Sequence, residues 1–193
     1  MVIVLARHGR PIVPSVTPIS GRDLGDWLRR YNDAGVDRSA APPASLRRLA
    51  ASSGCVLASN LRRSIESAAW LVPRGKVQIE TDLREAGLPE KIDLSMRMSP
   101  RAWTAIARAF WWLNLGAASE TIGVARRRAV KMADRLAVLA GEHDQVLVIG
   151  HGTFNRLVAA ELRRRGWHGP RILPAGYWAT ATYRLDRRIV PAS

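Results

Sequence analysis

Short apolar runs separated by helix-like segments constrain the fold of this chain more than any other feature. Such runs occupy residues 2–5, 55–58 and 145–149. Residues 2–5 and 55–58 are apolar without a break, and in 145–149 four apolar residues follow Gln145. Continuous apolar runs are typical of strands that are buried on both faces of a parallel sheet. Helical patterns lie between the runs, so strand and helix alternate along the chain. We therefore predict an α/β fold, a three-layer α/β/α sandwich whose mainly parallel sheet is covered by helices on both faces.

The length of 193 residues predicts one domain, residues 1–193, with a substantial core. Further strands are predicted at 76–80 and 177–185, with 187–190 as another candidate, and helices at 23–31, 44–53, 61–71, 119–141 and 153–165. Ser119 is the predicted N-cap of the helix over 119–141.

Residues 88–118 differ from this alternation. Ser99 followed by Pro100 is a favourable helix start. The residues that then recur at helical spacing, a pattern typical of packing, are Trp103, Ala107, Phe110 and Trp111. We predict that this segment is a short helical cap insertion over a pocket.

The chain is strongly basic, with Lys+Arg 30 against Asp+Glu 16 and a formal net charge of +14. Such a charge suits a nucleic acid, an anionic membrane or a phosphorylated substrate, and it equally fits a compositional bias towards arginine. Hydrophobic residues make up 47% of the chain, which excludes a disordered polyelectrolyte. The charge alone therefore identifies no function.

Two arginine triplets, 126–128 and 163–165, fall within predicted helices. Successive helix residues turn by about 100°, so each triplet fans out and is predicted to form a solvated face. No aromatic residues interleave with the triplets, as a nucleic-acid platform requires. We therefore do not expect a nucleic-acid partner.

Cysteine usage and hydropathy indicate the compartment. Cys55 is the single cysteine, so no internal disulfide forms, which fits a reducing compartment. The N-terminus lacks the basic and apolar regions of a signal peptide. The longest apolar stretch, 102–118, contains Arg108 and is short for a membrane span. We predict a cytoplasmic protein without a membrane span; nothing in the sequence specifies its oligomeric state.

Polar residues follow the predicted strands at the point where each strand ends. The groups are Arg7-His8-Gly9, Ser59-Asn60-Leu61-Arg62, Leu83-Arg84-Glu85 and Gly150-His151-Gly152. Ligand sites in parallel sheets lie beyond the carboxyl ends of the strands. His8 and His151, the arginines Arg7 and Arg62, and Glu85 are therefore predicted to converge on one sheet edge.

This set of side chains favours phosphoryl transfer over metal binding. Arginines bind phosphate oxygens bidentately and stay charged. A histidine can attack phosphorus, and a carboxylic acid can protonate the leaving oxygen. Two histidines without a close cysteine or carboxylate make a weak metal site, and nearby arginines repel a cation. We expect no metal at this site.

The four groups, in this order and spacing, resemble the histidine phosphatase superfamily, which is also called phosphoglycerate mutase-like. The resemblance extends from Arg7 to about Arg156. It implies that His8 is the nucleophile that forms a phosphohistidine and that Arg7 and Arg62 bind the phosphate. Arg63 directly follows Arg62 and could be confused with it.

The resemblance also implies roles for the remaining residues. His151 would hold the phosphoryl group in the transition state, and Glu85 would protonate the leaving group and later activate water, with Glu80 and Glu90 as nearby alternatives. No metal or organic cofactor is implied. Gly9 and Gly152 fit a close approach of backbone to ligand. The amides of the helix that begins near Thr153 would help to bind the anion.

The chain departs from the family pattern after Gly9. Many members continue with Glu-Thr, whereas this chain continues with Arg10, Pro11, Ile12 and Val13. Phosphoglycerate mutase activity is therefore not expected. Arg10 is predicted to add a further phosphate-binding charge at the pocket mouth.

The sequence thus predicts a phosphomonoesterase that acts on a small phosphorylated substrate through phospho-His8. Two alternatives stay open. One is a protein phosphohistidine phosphatase, which an open pocket would favour and the predicted cap disfavours. The other is a non-catalytic phospho-ligand or polyanion binder, which the departure at Arg10 and Pro11 leaves open.

Overall fold

A computed structural model of the protein describes residues 1–13 and 15–186. Its centre is a five-stranded sheet in the order β4-β3-β6-β1-β7. The strands are β1 (Val2–Arg7), β3 (Cys55–Ser59), β4 (Val77–Glu80), β6 (Gln145–Gly150) and β7 (Thr180–Arg184), and a separate two-stranded ribbon pairs β2 (Ile19–Ser20) with β5 (Arg97–Met98). The first four sheet strands run parallel, while β7 pairs antiparallel with β1. The predicted α/β class and mainly parallel sheet are confirmed.

Helices cover both faces of the sheet, as the continuous apolar runs predict. They are α1 (Leu24–Asp33), α2 (Ala44–Ser52), α3 (Arg62–Leu71), α4 (Pro100–Trp112), α5 (Ile122–His143) and α6 (Gly152–Arg164). Alternate strand residues point to opposite faces, so Ile3 and Leu5 belong to one core cluster, with α4, α5 and α6. Val4 and Ala6 belong to the other cluster, with α2 and α3.

Helix α4 packs into the main core along one side. Ser99 caps it by accepting a hydrogen bond from the Ala102 amide, as predicted. Trp103 and Trp111 are buried in the same cluster as the sheet, and their indole N–H groups donate to the Ile19 and Glu120 carbonyls. The helical spacing of these tryptophans is thus a packing pattern. The boundaries of a cap insertion at 88–118 stay a prediction.

Two local predictions differ from the structure. Thr121, not Ser119, is the N-cap of α5, because its side chain accepts from the Val124 amide. Strand β7 begins at Thr180 instead of 177, since Trp178 has a positive φ of 60° and ends the extended backbone. The candidate strand at 187–190 lies outside the described residues.

The first arginine triplet is also only partly solvated. Arg126 and Arg127 are exposed, but the side chain of Arg128 is buried against Glu120. Because successive residues of α5 turn by about 100°, the third arginine of the triplet points away from the solvent and pairs with the Glu120 carboxylate.

Candidate active site

His8 directly follows β1, at the carboxyl edge of the parallel strands, and is 2% exposed. Its Nδ1 lies 2.7 Å from the Gly9 carbonyl oxygen, an acceptor, so Nδ1 carries the proton. The Arg63 Nε–H donates to Nε2 across 3.3 Å. Burial, with Arg63 and Arg7 nearby, lowers the pKa of His8 to about 3. The imidazole is therefore neutral at neutral pH, with its lone pair on Nε2.

Arg63, rather than Arg62, is the arginine that the structure brings to His8. Both belong to the first turn of α3, but Arg62 points to solvent and pairs with Glu66 at 2.7 Å. Arg63 is 1% exposed and donates to the Tyr31 carbonyl and the Asn32 side chain. The expected place of Arg62 in the cluster is thus corrected by one residue, because a one-residue step rotates a helical side chain by about 100°.

The signal for Arg63 was present in the sequence. Arg62 and Glu66 have the i,i+4 spacing of an exposed ion pair. Small residues at Ser64 and Ser67 mark the other face of α3, which packs against the sheet and is buried. Ser67 accepts a hydrogen bond from the Gly9 amide at 2.8 Å and so fixes the backbone next to His8.

Arg7, the last residue of β1, lines the same cavity as His8 and Arg63. Its guanidinium donates to the Ala175 carbonyl and stacks over the Tyr177 ring at 4.6 Å. Its Nε is buried without a hydrogen-bond partner among the residues described. Neither Arg7 nor Arg63 has a carboxylate within ion-pair distance in the described part of the chain, so two cations converge on His8.

His151 follows β6 and is completely buried beside His8, with 5.0 Å between the ring centroids. Its Nε2 hydrogen-bonds to Ser59 Oγ at 2.8 Å, at the end of β3. Its Nδ1 has no partner among the described residues. Burial, then the positive charge of Arg63, lowers the pKa of His151 well below its usual value, so this ring is also neutral.

Glu85 lies at the beginning of α6. Its carboxylate accepts from the Phe154 amide at 3.0 Å and the Thr153 amide at 3.3 Å, as well as from the adjacent Ala86 amide. The α6 amides expected to bind the substrate anion thus hold Glu85 instead, since a carboxylate at a helix N-terminus is stabilised by the helix dipole. Glu85 remains on the cavity wall.

The two alternative carboxylates are placed differently. Glu80 is paired with Arg135 at 3.1 Å and does not line the cavity. Glu90 lines the cavity but lies 3.7 Å from Arg29 at an exposed position. Of these three glutamates, only Glu85 both lines the cavity and accepts hydrogen bonds from the amides at the beginning of α6, directly after His151.

Arg10 is not part of the cluster. Its exposed side chain lies 4.0 Å from Asp37 and does not line the cavity. The backbone after Gly9 turns away, because the carbonyl of Arg10 accepts from the Asp37 amide at 2.7 Å. The prediction of a third phosphate-binding charge at residue 10 therefore has no support in the geometry.

The glycines beside the histidines have a packing role. A Cβ at Gly9 would lie 2.7 Å from Trp178 Cε2, so the indole ring requires a glycine there. A Cβ at Gly152 would make only an ordinary contact of 3.8 Å with Arg7. For both glycines we expected a close approach of the backbone to a ligand. At Gly9 the group that approaches closely is the Trp178 side chain instead.

These side chains lie at one end of a cavity of about 950 Å³, near the upper size of small-molecule pockets. Arginines dominate its charged lining: Arg7, Arg63, Arg84, Arg101, Arg108 and Arg156. No group of three His, Cys, Asp or Glu side chains with the arrangement of a metal site occurs in residues 1–13 and 15–186. The same residues contain no helix whose length and hydropathy would let it cross a membrane. The arrangement offers a neutral imidazole nucleophile, cations for an anion and a carboxylate.

Known proteins resemble this chain in sequence and in fold. The model of the histidine phosphatase superfamily (branch 1) matches residues 3–187. A search of curated proteins finds no match.

Among solved structures, mycobacterial hydrolase 1 superposes with a TM-score of 0.61 at 19% identity, with 96% of each chain covered. A mycobacterial glucosyl-3-phosphoglycerate phosphatase has a TM-score of 0.55 at 19% identity, with 84% of this chain and 79% of that chain covered. The ecdysone phosphate phosphatase of Bombix mori has a TM-score of 0.54 at 16% identity, with 100% of this chain and 94% of that chain covered. These likenesses show a common fold, and the family match over almost the whole length shows that the chain belongs to branch 1 of the histidine phosphatase superfamily.

Proposed function

We propose that the protein is a phosphomonoester hydrolase that transfers the phosphoryl group of a small substrate to His8. The observation that carries the proposal is the state of His8: a buried, neutral imidazole whose Nδ1–H is fixed by the Gly9 carbonyl and whose Nε2 lone pair lies beside two arginines. A neutral imidazole with its second nitrogen fixed is an activated nucleophile.

In the first step, His8 Nε2 attacks phosphorus and forms the P–N bond while the ester P–O bond breaks. As this lone pair forms the new bond, the Nε–H of Arg63 donates its hydrogen bond to a phosphate oxygen instead of to Nε2. Arg7 and His151 bind the remaining oxygens, and this charge is stabilised most in the transition state. Glu85, which receives a proton from the bound phosphate monoanion, passes it to the leaving oxygen, which departs as an alcohol.

In the second step, water attacks the phosphorus of phospho-His8. Glu85, now a carboxylate, takes a proton from the water. The P–N bond breaks, and its electron pair returns to Nε2. Inorganic phosphate takes this proton from Glu85 and leaves, and the neutral His8 and the Glu85 carboxylate are restored, so neither step needs a metal or a cofactor.

The cavity supports a small substrate over a phosphohistidine on a folded protein. One wall is helix α4, which contributes Arg101, Thr104 and Arg108. Residues of α1, among them Trp27 and Tyr31, form another part of the lining. A partner domain would have to pass these walls to reach His8. A cytoplasmic location is part of the proposal and is supported by Cys55, which is buried and makes no disulfide.

The test is hydrolysis of para-nitrophenyl phosphate by the wild-type chain and by His8→Asn. We expect kcat to fall at least about 10³-fold in the variant. Quenching the wild type in alkaline detergent during turnover of a labelled ester should leave label on the peptide that contains His8, and acid treatment should release it.

His168→Asn is the matched control, because His168 has an exposed side chain outside the cavity. Its activity and labelling should equal those of the wild type. Tight binding of phosphate without turnover in the wild type would indicate the non-catalytic binder, and unchanged turnover in His8→Asn would refute the mechanism.

A further inference from the structure

Four arginines line the part of the cavity that the proposed chemistry does not use. They are Arg84, Arg101, Arg108 and Arg156. Arg101 and Arg108 belong to one face of α4, seven residues apart. Arg156 comes from α6, one turn after the amides that hold Glu85. Three separate elements therefore bring positive charge to one region.

These four arginines have no ion-pair partner among the described residues, in contrast to two arginines that lie elsewhere in the fold. Arg128 pairs with Glu120, and Arg165 pairs with both Glu161 and Asp134. The Glu85 carboxylate interacts electrostatically with Arg108 but forms no ion pair with it, and its oxygens accept hydrogen bonds from backbone amides. Among the described residues, the Glu85 and Glu120 carboxylates therefore compensate the positive charge of this region only in part.

Arg108 is fixed in place and is not a free surface side chain. Its two terminal nitrogens donate to the Ala86 carbonyl at 3.4 Å, and its guanidinium lies 5.1 Å from the Trp111 ring centroid. Burial lowers the pKa of Arg108, the Glu85 carboxylate partly offsets this effect, and the positive charge of Arg156 lowers the pKa again. Two like charges held close together in a cavity favour an anion between them.

We propose that the substrate carries a second anionic group, a phosphate or a carboxylate, which Arg108 and Arg156 bind while the first phosphate lies at His8. This assignment rests on the proposed function and names the substrate class for that same site. Arg84 and Arg101 add to the positive field around the second group. A neutral alcohol would leave these arginines unneutralised.

The test compares matched substrates of increasing length. Bisphosphates of linear alkanediols are measured against the monophosphates of the same diols, and phosphorylated hydroxyalkanoic acids against their amides. We expect kcat/KM to be about 10- to 100-fold higher for the doubly anionic member at the optimal length. The arm with the larger ratio, phosphate or carboxylate, identifies the second group.

Arg156→Gln and Arg108→Gln should each reduce the ratio of kcat/KM for the doubly anionic substrate to kcat/KM for the singly anionic one towards one. Arg156 is exposed, so its substitution is compatible with folding even if that of Arg108 is not. Arg126→Gln is the matched control, since it removes the same charge from an exposed site outside the cavity and should leave the ratio unchanged.

The outcomes separate this proposal from the proposed function. Absence of turnover of every ester, para-nitrophenyl phosphate included, refutes the phosphatase itself. Turnover that depends on His8, with equal kcat/KM for singly and doubly anionic substrates, refutes the second anion site alone. An equal loss of the ratio in Arg126→Gln would show a general effect of surface charge and would also refute the site.

Discussion

The Nε–H of Arg63 donates to Nε2 of His8 across 3.3 Å, so the buried guanidinium contacts the atom proposed to attack phosphorus. This arrangement keeps the lone pair oriented and the imidazole neutral. It also leaves the positive charge of Arg63 without a carboxylate partner among the described residues. A phosphate dianion at His8 would neutralise that charge and accept the same N–H.

Replacing Arg63 should therefore abolish most activity, whereas replacing its neighbour should not. We expect Arg63→Lys to lower kcat/KM for para-nitrophenyl phosphate by about 10²–10³-fold, because lysine cannot reproduce the planar, bidentate donors. Arg62→Lys is the matched control, since Arg62 is exposed and pairs with Glu66. Equal losses in the two variants, or a larger loss in Arg62→Lys, would contradict this assignment.

Binding of inorganic phosphate gives a readout independent of turnover. A ligand that binds only the folded state raises the melting temperature, and at a given concentration a tighter ligand raises it more. Phosphate should raise Tm in the wild type and in Arg62→Lys, and much less in Arg63→Lys. A full shift in Arg63→Lys would show that the anion binds elsewhere.

Stability should fall with acidification through the ordinary histidine range. The pKa of His8 is about 3 in the folded protein, and that of His151 is also lowered, whereas an unfolded histidine titrates near pH 6.5. Between about pH 6.5 and about pH 3 the unfolded chain therefore binds more protons, so the free energy of unfolding rises with pH there. Each group contributes at most about 1.4 kcal/mol per pH unit.

Urea titrations at a series of pH values would measure this slope. His8→Asn should have a shallower slope than the wild type, and His168→Asn should keep the full slope because that side chain is exposed. A wild-type stability that is constant from about pH 7 to about pH 5 would contradict the neutral, buried histidines.

The fold could be predicted because continuous apolar runs specify strands buried on both sides, and such strands need helices on both faces. The same logic placed His8, Glu85 and His151 together, since the carboxyl ends of β1, β4 and β6 share one edge. The choice between Arg62 and Arg63 depended on the rotation of α3, which only its small residues and ion-pair spacing indicate.

Other features depend on contacts between distant segments and have no local signal. Trp178 packs on Gly9 from 169 positions along the chain, and its unusual φ shortens β7. Glu85 takes the α6 amides only because the segment after β4 passes that helix end. Neither contact can be derived from spacing along the chain.

The packing of Trp178 predicts opposite results for alanine at two glycines. Gly9→Ala should lower the free energy of unfolding by about 1–3 kcal/mol, because the new methyl group overlaps the indole ring. Gly152→Ala should be tolerated, since the nearest atoms belong to Arg7 at 3.8 Å. Chemical denaturation of both variants tests this, and similar stabilities would contradict the packing role of Trp178.

The buried pair of Glu120 and Arg128 should stabilise the segment that carries Glu85. The two side chains are 4% and 8% exposed and lie 2.7 Å apart. Arg128 also donates to the carbonyls of Asp82 and Arg84, and Glu120 accepts from the Gly87 amide. The pair therefore binds the backbone on both sides of Glu85.

Arg128→Met should lower the free energy of unfolding by roughly 3–5 kcal/mol, because it leaves the Glu120 carboxylate buried without its partner. Arg126→Met, an exposed neighbour in the same triplet, should change stability by less than about 0.5 kcal/mol. Adding Glu120→Gln to Arg128→Met should recover part of the loss, since the unpaired charge is removed. Urea denaturation of the wild type, Arg128→Met, Glu120→Gln and the double variant gives the coupling energy of the pair, and additive losses would show that Glu120 and Arg128 act independently.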